Sequence, residues 1–326
     1  MKGRNKVGFA VIGLGAIARM AVLPAFRHSK HARLVALVSR DRRKASAWAR
    51  EFHAEAAYST GDMAACLSHP SVEAVYIATP PGTHLDFTFK AAGAGKHVLC
   101  EKPLAANSQQ SAQMVQTCAT RGVRLMTAYR KYFEPSAVFL KELVRSGKFG
   151  RIDTIHTSFS ELHVAGKSLD WLLDRQLAGG GPLMDLGIYC VNTTRWLLEQ
   201  DPVEASAFAW KNDASRFHNV EEGISFRLQF PGGCVLQGSS SYGAVLSSFL
   251  FVQGSKGWAC LAPAFPFDEE RNLTGKIGNK SFARKFKVVD EFAPQLDIFS
   301  SAIRSHGPLA PDGSQGHRDL QILEAI

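Results

Sequence analysis

The stretch KVGFAVIGLGAIA, residues 6–18, decides the fold of this 326-residue chain. Its apolar run reads as a strand, and the run ends in Gly13-x-Gly15-x-x-Ala18 just as a helix pattern opens. Strand, glycine turn and helix in that order are the context a dinucleotide fingerprint requires. Gly13 permits the tight turn, Gly15 lets the backbone approach a pyrophosphate, and Ala18 lets the helix pack close to the sheet. The helix start at Ala16 and Ile17 offers N–H groups and the positive end of a helix dipole to the phosphates.

Working outward, HARLVALVSR (31–40), VEAVYIATPP (72–81), KHVLCEKPL (96–104) and VRLMTAYR (123–130) are further apolar runs. Helical spacing fills HLDFTFKAAGAGK (84–96) and NSQQSAQMVQTCATRG (107–122) between them. Strands alternating with helices imply a parallel sheet covered on both faces. After residue 150 the rhythm changes. RIDTIHTSF, EASAFAW, GISFRLQF, GCVLQGSSSY and SSFLFVQGSKGWACL are successive strand candidates, broken by PGG (231–233) and GSKG (254–257) turns. Ile224, Phe226, Leu228 and Phe230 alternate with polar residues, the mark of a half-buried antiparallel strand. Helices are expected near 182–199, over PQLDIFSSAIRSHG (294–307) and over HRDLQILEAI (317–326). The fold class is therefore α/β Rossmann, a doubly wound parallel sheet, over 1–130. It is joined to an α+β domain with a large, mostly antiparallel sheet over 131–326. The last helices are expected to pack back on the first domain.

Composition narrows the function. Hydrophobic residues make up 45% and charged residues 21%, a globular mix. No apolar run is long enough to cross a membrane, and the first run ends in the glycine motif rather than a cleavage site. Six scattered cysteines without a CxxC pair suggest reduced thiols and a cytoplasmic location. The histidines show no HxH or HExxH spacing, so no metal site is expected. The formal charge of +9 is spread along the chain without a nucleic-acid signature, which favours small anionic ligands over nucleic acid.

The end of the second strand bears on cofactor choice. An NAD site usually carries an acidic residue there for the ribose. This chain has Ser39 and Arg40, followed by Arg42, Arg43 and Lys44. A hydroxyl and several cations suit a 2′-phosphate, which points to NADP over NAD. The alternative is a solvated helix start with Asp41 as ribose ligand. Thr79, Pro80 and His84 follow the next strand, and Glu101 and Lys102 of CEKPL follow another, all at the carboxyl edge where such sheets bind ligands.

In GGGPLMDLGIYCVN (179–192), Asp185 and Tyr189 stand one helical turn apart and share a face. Taken together, GLGAIA, VSR, ATPPGTH, EKP, the YR at 129–130 and GGGPLMDLGIY resemble the Gfo/Idh/MocA family of oxidoreductases over nearly the whole chain. The resemblance implies an active-site role for Lys102 and for Asp185. The family commonly has histidine four residues after this aspartate; here it is Tyr189, as in its glucose–fructose oxidoreductase members.

Oxidising a secondary alcohol needs a base for the hydroxyl proton as hydride leaves for a nicotinamide. A phenol is an ordinary base only near pH 10, and a neighbouring ammonium favours its phenolate. The expectation is thus a sugar or polyol oxidoreductase with Tyr189 as acid/base, Lys102 assisting it and Asp185 holding a hydroxyl or orienting Lys102. Tyr129, Arg130, Trp171 and Arg175 are further candidates for the substrate, with Arg130 also reaching the cofactor. The glycines are expected to let backbone approach the ligand. A trans-dihydrodiol or 1,5-anhydrofructose type of reductase stays open, as does a non-catalytic sugar-sensing regulator. The resemblance also implies a homodimer or homotetramer formed through the sheet of the second domain.

Overall fold

The computed structural model describes residues 6–163 and 170–326. In chain order the first strands and helices are β1 (Val7–Ile12), α1 (Leu23–His28), β2 (Ala32–Ser39), α2 (Arg42–Phe52), β3 (Ala56–Ser59), α3 (Met63–Leu67), β4 (Ala74–Ile77), α4 (His84–Gly93), β5 (His97–Cys100), α5 (Ser108–Thr120) and β6 (Leu125–Thr127). The six strands form one parallel sheet in the order β3-β2-β1-β4-β5-β6. This is the doubly wound order, with the switch point between β1 and β4. Every residue of β1 is buried, as expected of a strand covered on both faces.

Residues 18–22, just before α1, form a π-turn. Pro24 has no N–H to donate to the Met20 carbonyl, and a widened turn before a proline accommodates that gap. Asp41 caps α2 and Asn107 caps α5 through their side chains.

The chain continues with α6 (Pro135–Arg145), β7 (Ile152–Ser160), α7 (Arg175–Ala178), α8 (Ile188–Leu198), β8 (Glu204–Trp210), β9 (Gly223–Gln229), β10 (Val235–Ser241), β11 (Ser247–Gly254), β12 (Gly257–Ala262), β13 (Arg271–Ile277) and β14 (Lys280–Phe286). It ends with α9 (Phe292–Ser305) and α10 (Gly313–Ala325). The second sheet has eight strands in the order β14-β13-β12-β11-β7-β10-β9-β8. All its pairs are antiparallel except β7 with β10. The alternating residues Ile224, Phe226 and Leu228 point to its buried face, while Ser225 and Arg227 are exposed.

Strands β13 and β14 are not apparent from the sequence pattern, and the reason is visible. The inward residues of β13 are Arg271, Leu273 and Gly275, so only one of the three is an apolar side chain. Arg271 is fully buried; its guanidinium donates to the Glu269 and Pro266 carbonyls and lies 3.8 Å from Glu134. The chain divides into two compact units, residues 1–130 with 290–318 and residues 131–289 with 319–326.

Candidate active site

The glycine turn after β1 has the geometry a dinucleotide loop needs. Gly13 sits at φ +95°, and a Cβ there would lie 2.5 Å from the Ala78 carbonyl oxygen. Only glycine satisfies both constraints. Gly15 is exposed, and a Cβ on it would meet nothing within 4 Å, so its backbone is open to a ligand. Ala16 is exposed and Ile17 half-buried at the start of the helix, and Ala18 is buried against the sheet. These residues fit a pyrophosphate.

At the end of β2, Asp41 is committed elsewhere. Its Oδ1 accepts from the amides of Arg43 (2.8 Å) and Lys44 (3.1 Å). A carboxylate occupied as a helix cap is a poor ribose ligand. Ser39 is half-buried and Arg40 and Arg43 are exposed. Arg42 pairs with Asp62 at 2.9 Å, and the Lys44 ammonium lies 4.6 Å from the Trp48 ring centre. Neither Arg40 nor Arg43 forms an ion pair among the described residues, so both guanidinia remain available to a phosphate.

At the ends of β4 and β5, Thr79 and Pro80 are half-buried. His84 is fully buried, with Nε2 2.7 Å from the Thr79 oxygen and Nδ1 3.1 Å from the Leu104 oxygen. Both ring nitrogens thus face backbone carbonyls, and the neutral ring donates to one of the two. Burial pushes the pKa of this ring down, against the pull of the carbonyls. Glu101 Oε1 accepts from the Tyr76 hydroxyl at 2.7 Å, and its Oε2 accepts from the Lys102 amide at 3.3 Å. Burial pushes the Glu101 carboxyl up from its ordinary value, while Tyr76 and the Lys102 and Arg130 charges oppose that rise. Lys102 is half-buried at the mouth of the sheet. Tyr129 is buried, and the buried Arg130 guanidinium donates to Glu291 at 2.6 Å.

In the second unit the glycine run packs closely against protein. Gly179, at φ +88°, ends α7. A Cβ on Gly181 would lie 2.4 Å from the Glu221 carbonyl oxygen. The Glu221 carboxylate in turn accepts from the amides of Gly181 (3.0 Å) and Leu183 (3.2 Å), filling the donors of the turn that follows. That turn, Leu183–Gly187, is a π-turn leading into α8. Single π-turns of this kind are frequent at functional sites. Between Gly181 and Cys190 only Asp185 and Tyr189 are not buried.

Asp185 Oδ2 accepts from the Tyr242 hydroxyl at 3.1 Å. Tyr242 is itself buried, and burial together with the Asp185 charge holds its phenol well above the ordinary value. It is therefore a fixed donor that orients the carboxylate. The Tyr189 ring is wedged between Phe159 (centroids 5.5 Å, 70°) and Phe265 (5.7 Å, 38°). This aromatic box fixes its direction. Trp171 is half-buried in a short turn over Asp170–Leu173, and Arg175 is exposed at the start of α7. Tyr242, Glu221 and Glu291 are not singled out by any sequence motif. The one available signal is a tyrosine closing the polar strand end GSSSYG, residues 238–243.

Known proteins share this fold. Residues 7–129 match the oxidoreductase family with an NAD-binding Rossmann fold, and residues 138–260 match the GFO/IDH/MocA C-terminal domain. The chain belongs to the Gfo/Idh/MocA family of oxidoreductases. It is 30% identical to a D-xylose 1-dehydrogenase [NADP(+)] of Haloarcula marismortui over 325 residues, 99% of this chain and 90% of that one. It is 33% identical to a trans-1,2-dihydrobenzene-1,2-diol dehydrogenase of Mus musculus over 257 residues, 77% and 73% of the two chains. The crystal structure of an aldose-aldose oxidoreductase from Caulobacter crescentus complexed with glycerol superposes with a TM-score of 0.93 at 34% identity, covering 98% and 96%.

Proposed function

We propose that this protein is an NADP(H)-dependent oxidoreductase acting on a CH–OH group of an aldose or related polyol, with Tyr189 as acid/base and Lys102 assisting. The observation that carries the reading is Tyr189 itself: a half-buried phenol in the first turn of α8, aimed by two aromatic rings, one turn from an oriented carboxylate. Replacing Tyr189 with Phe tests it by removing one oxygen and leaving the ring.

Gly13, Gly15, Ala16 and Ile17 would hold the pyrophosphate, and Ser39 and Arg40 the 2′-phosphate. The commitment of Asp41 to its own helix supports NADP over NAD. A bound nicotinamide supplies the hydride acceptor. Tyr189 Oη takes the proton of the reacting hydroxyl and passes it to solvent, or returns it in the reverse direction. Lys102 donates a hydrogen bond to the same oxygen. Asp185, its carboxylate oriented by Tyr242, accepts from a second substrate hydroxyl and so sets which carbon reacts.

The aldose preference rests on the xylose and aldose relatives, which align over nine-tenths or more of this chain. The dihydrodiol dehydrogenase likeness supports a second reading, an aromatic trans-diol as substrate. A regulator without catalysis would bind NADP and turn over neither.

The outer face of the second sheet supports self-association. Phe208 and Phe249 are exposed there, and Phe251 and Trp258 are half-buried on the same face. A second copy of the chain is the occupant we infer for this face.

A further inference from the structure

We propose that Glu221 is a positioning residue for the Asp185 carboxylate, acting through the backbone of the glycine turn. Its two carboxylate oxygens take separate amides of that turn: Oε2 accepts from Gly181 at 3.0 Å and Oε1 from Leu183 at 3.2 Å. Pro182, between them, has no N–H to offer. Backbone meets backbone at the same point, since a Cβ on Gly181 would lie 2.4 Å from the Glu221 carbonyl oxygen. The Gly181 carbonyl in turn accepts from the Met184 amide at 3.1 Å and from the Asp185 amide at 3.4 Å. One hydrogen bond therefore separates the clasped residue from the residue whose carboxylate is to be aimed.

The next residue fixes the other member of the pair. Glu222 is buried, and its amide donates to the Trp210 carbonyl at 3.1 Å, at the end of β8. Its carbonyl accepts from the Tyr242 amide at 2.8 Å, just past the end of β10. Its carboxylate accepts from the amides of Asn212 (2.6 Å) and Asp213 (2.9 Å). Tyr242 closes the circuit by donating its hydroxyl to Asp185 Oδ2 at 3.1 Å. Glu221, Gly181, Asp185, Tyr242 and Glu222 thus form a ring of contacts, and both members of the Asp185–Tyr242 pair are anchored to one dipeptide. The Glu221 charge also bears on Tyr242: burial and Asp185 do most to hold that phenol up, and Glu221 adds to them.

The role given to Glu221 rests on the reading that Asp185 accepts a substrate hydroxyl. One readout needs no substrate: hydrogen exchange of the peptide over residues 180–190, followed by mass spectrometry. Glu221→Ala is expected to raise exchange there about ten- to a hundredfold and to leave NADP+ affinity as it was. The second readout is a double-mutant cycle in kcat/KM with NADP+ and an aldose. Glu221→Ala alone is expected to lower kcat/KM about ten- to a hundredfold. Once Asp185→Ala has removed the carboxylate, the same change should cost less than about twofold more.

Glu221→Gln keeps the shape of the side chain and one acceptor oxygen but turns an N–H₂ towards the other amide. It is expected to show the same coupling at about two- to tenfold. A merely structural role would give equal losses with and without Asp185. Equal losses, or exchange over 180–190 that matches wild type in both variants, overturn the inference. Wild-type protein that oxidises neither an aldose nor a trans-diol with NADP+ would instead overturn the functional reading beneath it, and the exchange measurement would still decide whether Glu221 holds the turn.

Discussion

Tyr242 donates its hydroxyl hydrogen to Asp185 Oδ2 at 3.1 Å from a fully enclosed position. Burial and the Asp185 charge hold its phenol well above the ordinary value, so it remains a donor at neutral pH. A hydrogen bond to a charged group is worth about 1.5–3 kcal/mol. Tyr242→Phe is expected to lower kcat/KM about ten- to a hundredfold by freeing the carboxylate, and to leave NADP+ affinity unchanged. Steady-state kinetics beside a nucleotide titration check this. An unchanged kcat/KM would remove Asp185 from substrate positioning.

Arg40 is the residue proposed to select between the two nicotinamide cofactors. Its guanidinium is exposed at the end of β2, while the neighbouring carboxylate of Asp41 is spent on the α2 amides. Arg40→Ala is expected to weaken NADP+ binding about ten- to a hundredfold and to leave NAD+ binding as it was. Calorimetric titration of both nucleotides reads the difference. Equal losses for the two would place Arg40 away from the 2′-phosphate.

Glu134 links stability to pH. Burial would raise its carboxyl, but Lys131, Arg271 and Ser136 bring it down to about 2 from an ordinary 4.5. Its folded value is depressed, so its stabilisation is fully present above pH 4.5 and is lost as pH falls towards 2. The linkage amounts to about 3 kcal/mol at neutral pH. Glu134→Gln leaves two buried cations short of a partner and is expected to destabilise by about 3–5 kcal/mol. Chemical denaturation at neutral and acidic pH should show the gap between wild type and variant closing below pH 4.5. A gap that does not narrow would contradict the assignment.

The outer face of the second sheet offers a separate check. Phe249→Glu puts a charge in the middle of that face. The wild type is expected to sediment as a dimer or larger, and the variant as a monomer. Identical sedimentation of the two would move the interface elsewhere.

Much of this architecture is legible in the amino-acid sequence. β1 announces itself because every one of its residues is apolar or glycine and buried, and the glycines follow directly. The motif residues Lys102, Asp185 and Tyr189 lie in short contiguous signatures. Tyr242 and Glu221 lie 57 and 40 residues in sequence from the groups they serve, with no periodicity to betray the contact. His84 is visible as a histidine near the cofactor loop, but whether it faces ligand or backbone depends on the Leu104 carbonyl, 20 residues on. The glycine run reads as a ligand approach because a glycine marks close contact without saying with what; here the neighbour is Glu221. Strand β13 is hidden because a buried arginine occupies a position that a strand pattern reserves for an apolar side chain.

The most direct measurement follows formation of reduced nicotinamide when the purified protein is mixed with NADP+ and D-xylose or D-glucose, in wild type and in Tyr189→Phe. The expected result is turnover by the wild type with NADP+ in preference to NAD+. Turnover in the variant should fall about a hundred- to ten-thousandfold with nucleotide affinity intact. Undiminished turnover in Tyr189→Phe would contradict the account, because the proton would then be leaving by another route.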